Sequence, residues 1–83
     1  MTENELLDIE KRCERARKGP WKSWVEGRDH SSGSSFIEVC GISHADDIEL
    51  TGATDEDQDF IAQARSDIPR LIAALRNLKA ASR

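Results

Sequence analysis

The sequence predicts an α+β fold made of an N-terminal helix, a small antiparallel β-meander of two to three strands, and a long C-terminal helix. Near both ends of the chain, apolar residues recur every three or four positions, which is the spacing of a helix face. Between these regions, short segments rich in β-branched and aromatic residues are separated by glycines and serines, as in a hairpin. A threonine followed three residues later by an acidic residue marks the start of each helix.

The first segment, residues 2–18, is predicted to be a helix. Thr2 with Glu5 three residues later matches a capping box, in which each residue satisfies a backbone N–H of the other. The apolar stripe of this helix consists of Leu6, Ile9, Cys13 and Ala16. Gly19 and Pro20 then end the helix, because glycine suits the left-handed cap position and proline cannot continue the helix.

The middle of the chain is predicted to form a hairpin with a weak third strand. Its two main strands are residues 21–26 and 35–40, and the polar segment between them is rich in turn-forming residues. In the third strand, residues 47–51, Ile48 and Leu50 alternate with acidic residues. A third strand stabilises such a sheet, because an isolated two-stranded hairpin is marginal in water.

The second helix is predicted to span residues 54–80, beginning at a capping box formed by Thr54 and Asp57. Its apolar stripe consists of Phe60, Ala64, Ile68, Leu71, Leu75 and Leu78, and is widened by Ile61 and Ile72. Such a helix is about 40 Å long, whereas a compact domain of this length is only about 30 Å across. Either the helix kinks near Pro69, or its C-terminal half extends beyond the sheet.

An extended second helix predicts that the chain forms a homo-oligomer. Its apolar face would need a partner, and a second copy of the chain is the simplest one. The predicted interface residues are Ile68, Leu71, Ile72, Leu75 and Leu78. In the alternative interpretation, the first helix covers this face within a single chain.

Length and charge restrict the class of protein. We expect one domain, residues 1–83, because a chain of 83 residues has no room for a second core. A net charge of −4 argues against a general binder of nucleic acids or membrane surfaces. Because the sequence contains no membrane-spanning stretch and no signal-peptide pattern, we expect a cytoplasmic location and reduced thiols at Cys13 and Cys40.

The sequence contains no motif that indicates catalysis. A glycine-rich phosphate loop, a nucleophile elbow and a cofactor motif are all absent, so we expect a binding protein without enzymatic activity or cofactor. Four potential metal ligands, Cys13, His30, Cys40 and His44, include one Cys-x-x-x-His pair. A structural zinc site usually has two such pairs, so we expect no metal site.

Basic and aromatic residues between positions 11 and 24 predict a nucleotide ligand. Six lysines and arginines lead into Trp21 and Trp24. Guanidinium groups bind phosphate in fork geometry, and an exposed indole stacks on a base. The predicted ligand-binding residues are Arg12, Arg15, Lys18, Trp21, Trp24, Arg65 and Arg70. In the alternative interpretation, the basic residues form a solvated helix face, in which Asp8 and Arg12 pair four positions apart.

Two stretches of the sequence resemble a known group of proteins. Gly19, Pro20 and Trp21 follow an amphipathic helix, and residues 59–71, with Leu75 beyond them, contain the pattern Asp-Phe-Ile-Ala-x-Ala-Arg-x-Asp-Ile-Pro-x-Leu. These stretches resemble small accessory proteins of tailed bacteriophages and prophages, including the Ead-like group. The resemblance implies a phage origin and expression in the cytoplasm of a bacterial host, and it supplies no catalytic residues.

Three functions remain open in that setting. The first is a counter-defence factor that sequesters a nucleotide immune signal in a pocket of an oligomer. The second is inhibition of a host protein through an acidic edge formed by Asp46, Asp47, Glu49, Asp55 and Glu56. The third is a structural module that only dimerises.

Overall fold

The computed structural model describes residues 1–39 and 46–81, and it contains two helices and two strands. Helix α1 spans Glu3–Arg15, strand β1 Trp21–Trp24, strand β2 Phe36–Val39 and helix α2 Asp55–Ala81. The two strands form an antiparallel sheet between the helices in the chain order. This arrangement confirms the predicted α+β fold.

Helix α1 begins at the predicted capping box. The Thr2 hydroxyl accepts a hydrogen bond from the Glu5 N–H at 3.1 Å, and the Thr2 N–H donates to the Glu5 carboxylate at 2.9 Å. The helix ends at Arg15, three residues earlier than predicted, because the backbone of Ala16 is extended. The chain then passes through Gly19 and Pro20, which are joined by a cis peptide bond, into β1.

The hairpin pairs Trp21 with Val39 and Trp24 with Phe36. Both strands are shorter than predicted, and position 40 lies outside the described residues. The third strand is reduced to a single bridge, in which Ile37 and Ile48 exchange backbone hydrogen bonds of 2.8 and 2.9 Å. Residues 49–51 do not continue this pairing, so the meander has two strands in the described part of the chain.

Helix α2 is continuous through Pro69. Thr54 and Asp57 form the second predicted capping box, with reciprocal hydrogen bonds of 3.1 and 3.2 Å. The molecule measures 53 × 23 × 20 Å and has a radius of gyration of 15.6 Å, compared with about 12 Å expected for a compact domain of this length. Of the two alternatives for the long helix, the extended one therefore holds.

The apolar core is small, and Ile72 is the one residue of the predicted apolar face of α2 that is buried in it. Its buried apolar residues are Leu6, Val25, Ile37, Val39, Ala62 and Ile72. Three members of the predicted α2 stripe, Phe60, Leu71 and Leu78, are instead 74%, 67% and 68% exposed. The sheet packs against the side of α2 that carries Gln58 and Ala62, because the small Ala62 allows close approach and the Gln58 amide binds the sheet.

Candidate ligand-binding groove

An open groove of about 590 Å³ lies between α1 and α2. Its walls are mainly apolar side chains from both helices, and two arginines and one tryptophan are also part of the lining. The lining residues are Met1, Leu6, Ile9, Arg12, Cys13, Ala16, Trp21, Ile61, Ala64, Arg65, Ile68, Leu71, Ile72 and Leu75. The groove is larger than the cavity of about 410 Å³ beside Trp24 and His30 and the cavity of about 390 Å³ beside Trp21 and Arg28.

Ion pairs fix the two helices to each other near the C-terminal end of α2. The Arg76 guanidinium donates to the carboxylates of Glu10 and Glu3, and Lys79 contacts Glu3 at 3.3 Å. The Glu10 and Glu3 carboxylates raise the pKa of Arg76, and Arg76 lowers the pKa of each carboxyl group. This end of α2 is therefore held against the start of α1, where Thr2 and Glu5 form the cap.

At the other end of the groove, hydrogen bonds to the backbone after α1 hold two of the lining side chains. Arg65 donates from Nε to the Arg17 carbonyl at 2.9 Å. The Trp21 indole N–H lies 3.2 Å from the carbonyls of Arg17 and Lys18. Because the indole N–H is already partnered, the ring face is the part of Trp21 that remains for contact with a ligand. Together with Arg12 on α1, Trp21 and Arg65 form what we call the basic end of the groove.

The structure brings together three of the seven predicted ligand-binding residues, namely Arg12, Trp21 and Arg65. The other four do not line the groove. Arg15, Lys18 and Arg70 are exposed, and Arg70 lies 3.9 Å from Asp67 of its own helix. Trp24 is three positions after Trp21 in the same strand. Side chains of a strand alternate between its two faces, so two residues three positions apart point to opposite faces of the sheet. It therefore cannot join Trp21 in one site.

Trp24 instead belongs to an aromatic cluster on the outer face of the sheet. Its ring stacks on Phe36 at 6.5 Å and meets the edge of His30 at 6.3 Å, while Lys22 lies 4.0 Å above the indole. Nε1 of Trp24 and Nε2 of His30 are buried and have no hydrogen-bond partner. A ligand could reach these nitrogens only if the rings separated, so we favour the groove as the candidate site.

The predicted interface residues divide into three groups. Ile68, Leu71 and Leu75 line the groove, and Leu78 is exposed further along the same helix. Ile72 also lines the groove but is largely buried within one chain, so its place in an interface between copies stays a prediction. It points toward α1 because it lies one position beyond the exposed Leu71, which corresponds to about 100° around the helix.

Sequence reasoning treated several groove residues only as core positions. Ile9, Cys13 and Ile61 belong to predicted apolar stripes, but the structure places them on the walls of an open groove. The spacing of three and four identified the stripes. It could not show that the two stripes leave a gap between them, because helix separation depends on how the sheet and the ion pairs place the helices.

The potential metal ligands do not come together in the described part of the chain. Cys13 lies in the groove with a free thiol, and His30 lies in the aromatic cluster. Cys40 and His44 are outside the described residues. Within residues 1–39 and 46–81, no three histidine, cysteine or acidic side chains are arranged to hold a metal ion.

No protein-family model, curated protein or solved structure matches this chain. In the described residues, neither helix is long and apolar enough to cross a membrane. The groove is therefore the feature that indicates the class of protein, because its lining is apolar along its length and basic and aromatic at one end.

Proposed function

We propose that this chain is a small, non-catalytic binding protein that sequesters a nucleotide at the basic end of the groove. The proposal is carried by the presence of Arg12, Trp21 and Arg65 in the lining of one open and mainly apolar groove. The resemblance to phage accessory proteins adds the biological setting. In a bacterial host, such a protein acts as a counter-defence factor by removing a nucleotide immune signal.

Each of the three residues offers a different contact. Arg12 forms no ion pair within the described residues, so its guanidinium is available for a phosphate group. Arg65 uses its Nε for the Arg17 carbonyl, which leaves its two terminal nitrogens for a second contact. Trp21 presents a ring of fixed orientation on which a base can stack.

A second candidate function is inhibition of a host protein through the acidic edge. Asp55 and Glu56 are exposed in the first turn of α2, and the exposed Asp46 binds Arg17 through its backbone carbonyl and not through its carboxylate. These carboxylates would suit a basic protein surface. Acidic residues in a first turn also stabilise the helix dipole, which explains Asp55 and Glu56 without a partner. We therefore place this function second.

A thermal-shift titration with cyclic and linear dinucleotides tests the first proposal. A nucleotide at about one hundred times its dissociation constant adds about 2.7 kcal/mol to the stability of the protein, which corresponds to several degrees in a domain of this size. We expect one nucleotide class to give this shift. We expect Arg12→Ala and Trp21→Phe to reduce it, the second because a smaller ring stacks less well.

Two control variants separate the groove from general charge. Lys11→Ala removes a positive charge beside Arg12, and Arg70→Ala removes an exposed arginine from α2, but neither residue lines the groove. Both variants should keep the full nucleotide shift. A shift that survives Arg12→Ala, or that is lost equally in Lys11→Ala, would place the ligand elsewhere. The absence of a shift with every nucleotide, combined with salt-sensitive binding of a host protein, would favour the acidic edge.

A further inference from the structure

Six residues of α2 follow the spacing of a coiled-coil seam. Their positions are separated by three, four, three, four and three residues, which is the alternation of the a and d positions of a heptad repeat. The seam consists of Ile61, Ala64, Ile68, Leu71, Leu75 and Leu78. Leu71 and Leu78 are mostly exposed, and Ile61 and Ile68 are partly exposed. Within one chain, this seam therefore lacks the partner that its spacing requires.

Helix α1 and Ala16, the residue directly after it, present a matching row on the other side of the groove. Leu6, Ile9, Cys13 and Ala16 are separated by three, four and three positions, and all four line the groove. Two apolar rows thus face one open space between two helices. The occupant that fits this shape is another helix with an apolar face, because side chains at such positions pack as knobs into the holes of a facing helix.

The exposed surface is as large as an interface between copies would require. The chain exposes 6154 Å², whereas a compact monomer of 9.3 kDa is expected to expose about 5,000 Å². The chain therefore exposes about 1,200 Å² more surface than a compact monomer of the same mass would. It exceeds the roughly 800 Å² that each partner buries in a stable protein–protein interface.

The distribution of charge along α2 matches a second copy in antiparallel orientation. Residues 55–67 contain five acidic residues and one basic residue, whereas residues 68–81 contain three basic residues and no acidic one. Parallel helices would place the acidic halves together, which is unfavourable. Arg76 and Lys79 are partly neutralised by Glu3 and Glu10 of the same chain, while Arg70 stays largely exposed.

The seam is also symmetric in a way that suits the antiparallel arrangement. A two-fold axis between Pro69 and Arg70 places Ile61 opposite Leu78 and Ile68 opposite Leu71. The same axis places the small Ala64 opposite the larger Leu75. Each of these layers pairs an a position with a d position, and the one small side chain of the seam, Ala64, lies opposite a large one.

From these observations we infer that a second copy of this chain covers the groove, with the two α2 helices packed antiparallel about a two-fold axis. The α1 helices flank this pair, so the dimer contains a four-helix layer with a sheet at each end. The inference goes beyond nucleotide binding and does not depend on it. The partner is a second copy because its own α2 has the length, the apolar spacing and the reversed charge order that the groove requires.

The mass in solution, measured by sedimentation equilibrium without any nucleotide, tests the inference. We expect a mass of two chains at micromolar concentration. Leu71→Glu places a charge at the centre of the seam and should yield a mass of one chain. Because Leu71 is exposed in the single chain, this variant should keep its far-ultraviolet circular dichroism. Ala73→Glu, at an exposed position outside the seam, is the matched control and should remain a dimer.

Disulfide cross-linking tests the orientation. In a background with Cys13→Ser and Cys40→Ser, Ile61→Cys and Leu78→Cys are prepared as separate proteins and then mixed. Antiparallel packing predicts a cross-link between the two different proteins and little cross-linking of either protein alone. Efficient cross-linking of the Leu78→Cys protein with itself would overturn the antiparallel arrangement.

Three outcomes would overturn the role of the groove in dimerisation. One is a mass of one chain for the unmodified protein throughout the micromolar range. Another is an assembly that Leu71→Glu leaves intact, which would place the interface elsewhere. The third is a single-chain protein whose melting temperature rises with a long-chain fatty acid, which would make a small amphiphile the occupant.

Discussion

Arg28 donates two hydrogen bonds to the carboxylate of Asp59, at 2.8 and 3.0 Å, and thereby ties the tip of the hairpin to the first half of α2. The same guanidinium also binds Asp29, whose carboxylate accepts the N–H of Val25. One arginine therefore connects the turn after β1 with the helix that covers the sheet. Arg28 lowers the pKa of both carboxyl groups. The contribution of these ion pairs to stability can therefore be measured through its dependence on pH.

The Arg28–Asp59 pair predicts a loss of stability in acid. Hydrogen bonds from Arg28 and then from Ser23 lower the pKa of Asp59 to about 2, from an ordinary value of 3.8. Because the pKa is lower in the folded state, the stabilisation is complete above the unfolded pKa and is lost as the pH falls through the folded pKa of about 2. Urea unfolding between pH 5 and about pH 2 should show this decline, and Asp59→Asn should reduce its slope.

Glu56→Gln is the matched control for this measurement. It removes an exposed carboxylate from the first turn of the same helix but leaves Arg28 and its partners in place. We expect it to keep the wild-type slope over the range in which Asp59 titrates. Equal slopes for wild type and Asp59→Asn would mean that Arg28 does not stabilise the folded state through Asp59.

The buried Gln58 makes a second prediction. Its amide nitrogen lies 2.8 Å from the Ser23 hydroxyl and 3.2 Å from the carbonyls of Trp24 and Phe36. Gln58→Met preserves the length of the side chain but removes this donor from two partly buried carbonyl groups. The expected cost is about 1–3 kcal/mol, measured by urea unfolding. Gln63→Met, at an exposed position of α2, should change stability by less than about 0.5 kcal/mol. A similar small change for Gln58→Met would contradict the prediction.

Gln58 also shows where sequence reasoning about the fold reached its limit. Local signals predicted the elements well, since both capping boxes form and the strands pair as a hairpin. The sequence identified the apolar stripe of α2 but did not indicate which side of this helix contacts the sheet. Periodicity assigns the strongest apolar row to the core, but here Gln58 and Ala62 face the sheet, because a hydrogen-bonding amide and a small side chain fit its surface.

The candidate site could be predicted only in part, for a related reason. Composition identified Arg12 and Trp21 as a basic and aromatic cluster, and Arg65 was added from the long helix. The sequence analysis placed Trp21 and Trp24 in one site, although their three-residue spacing in the predicted strand 21–26 already puts them on opposite faces. The gap between α1 and α2 depends on long-range ion pairs such as Arg76 with Glu10, which no local pattern reveals.

Pro69 makes a third prediction, about the cost of a proline inside α2. Proline has no N–H to donate to the carbonyl of Arg65, and its ring crowds the preceding turn. Pro69→Ala should therefore stabilise the chain by about 1–3 kcal/mol. The measurement is urea unfolding in the Leu71→Glu background, so that assembly does not contribute. Asn77→Ala, an exposed change in the same helix, should add only about 0.5 kcal/mol. A loss of stability in Pro69→Ala would mean that packing of the proline ring outweighs the missing hydrogen bond.

Cys13 makes the final prediction, because its thiol lies in the groove that a second copy is proposed to cover. In a Cys40→Ser protein, Cys13 is the only thiol, and its rate of reaction with a disulfide reagent reports access to the groove. We expect slow reaction at concentrations where the chain is dimeric and faster reaction on dilution. Adding Leu71→Glu should give the fast rate at every concentration, whereas Ala73→Glu should behave like the Cys40→Ser protein. If Leu71→Glu leaves the rate unchanged, then the groove is not covered by a second copy, since a covering helix would have to exclude the reagent from the wall on which Cys13 lies.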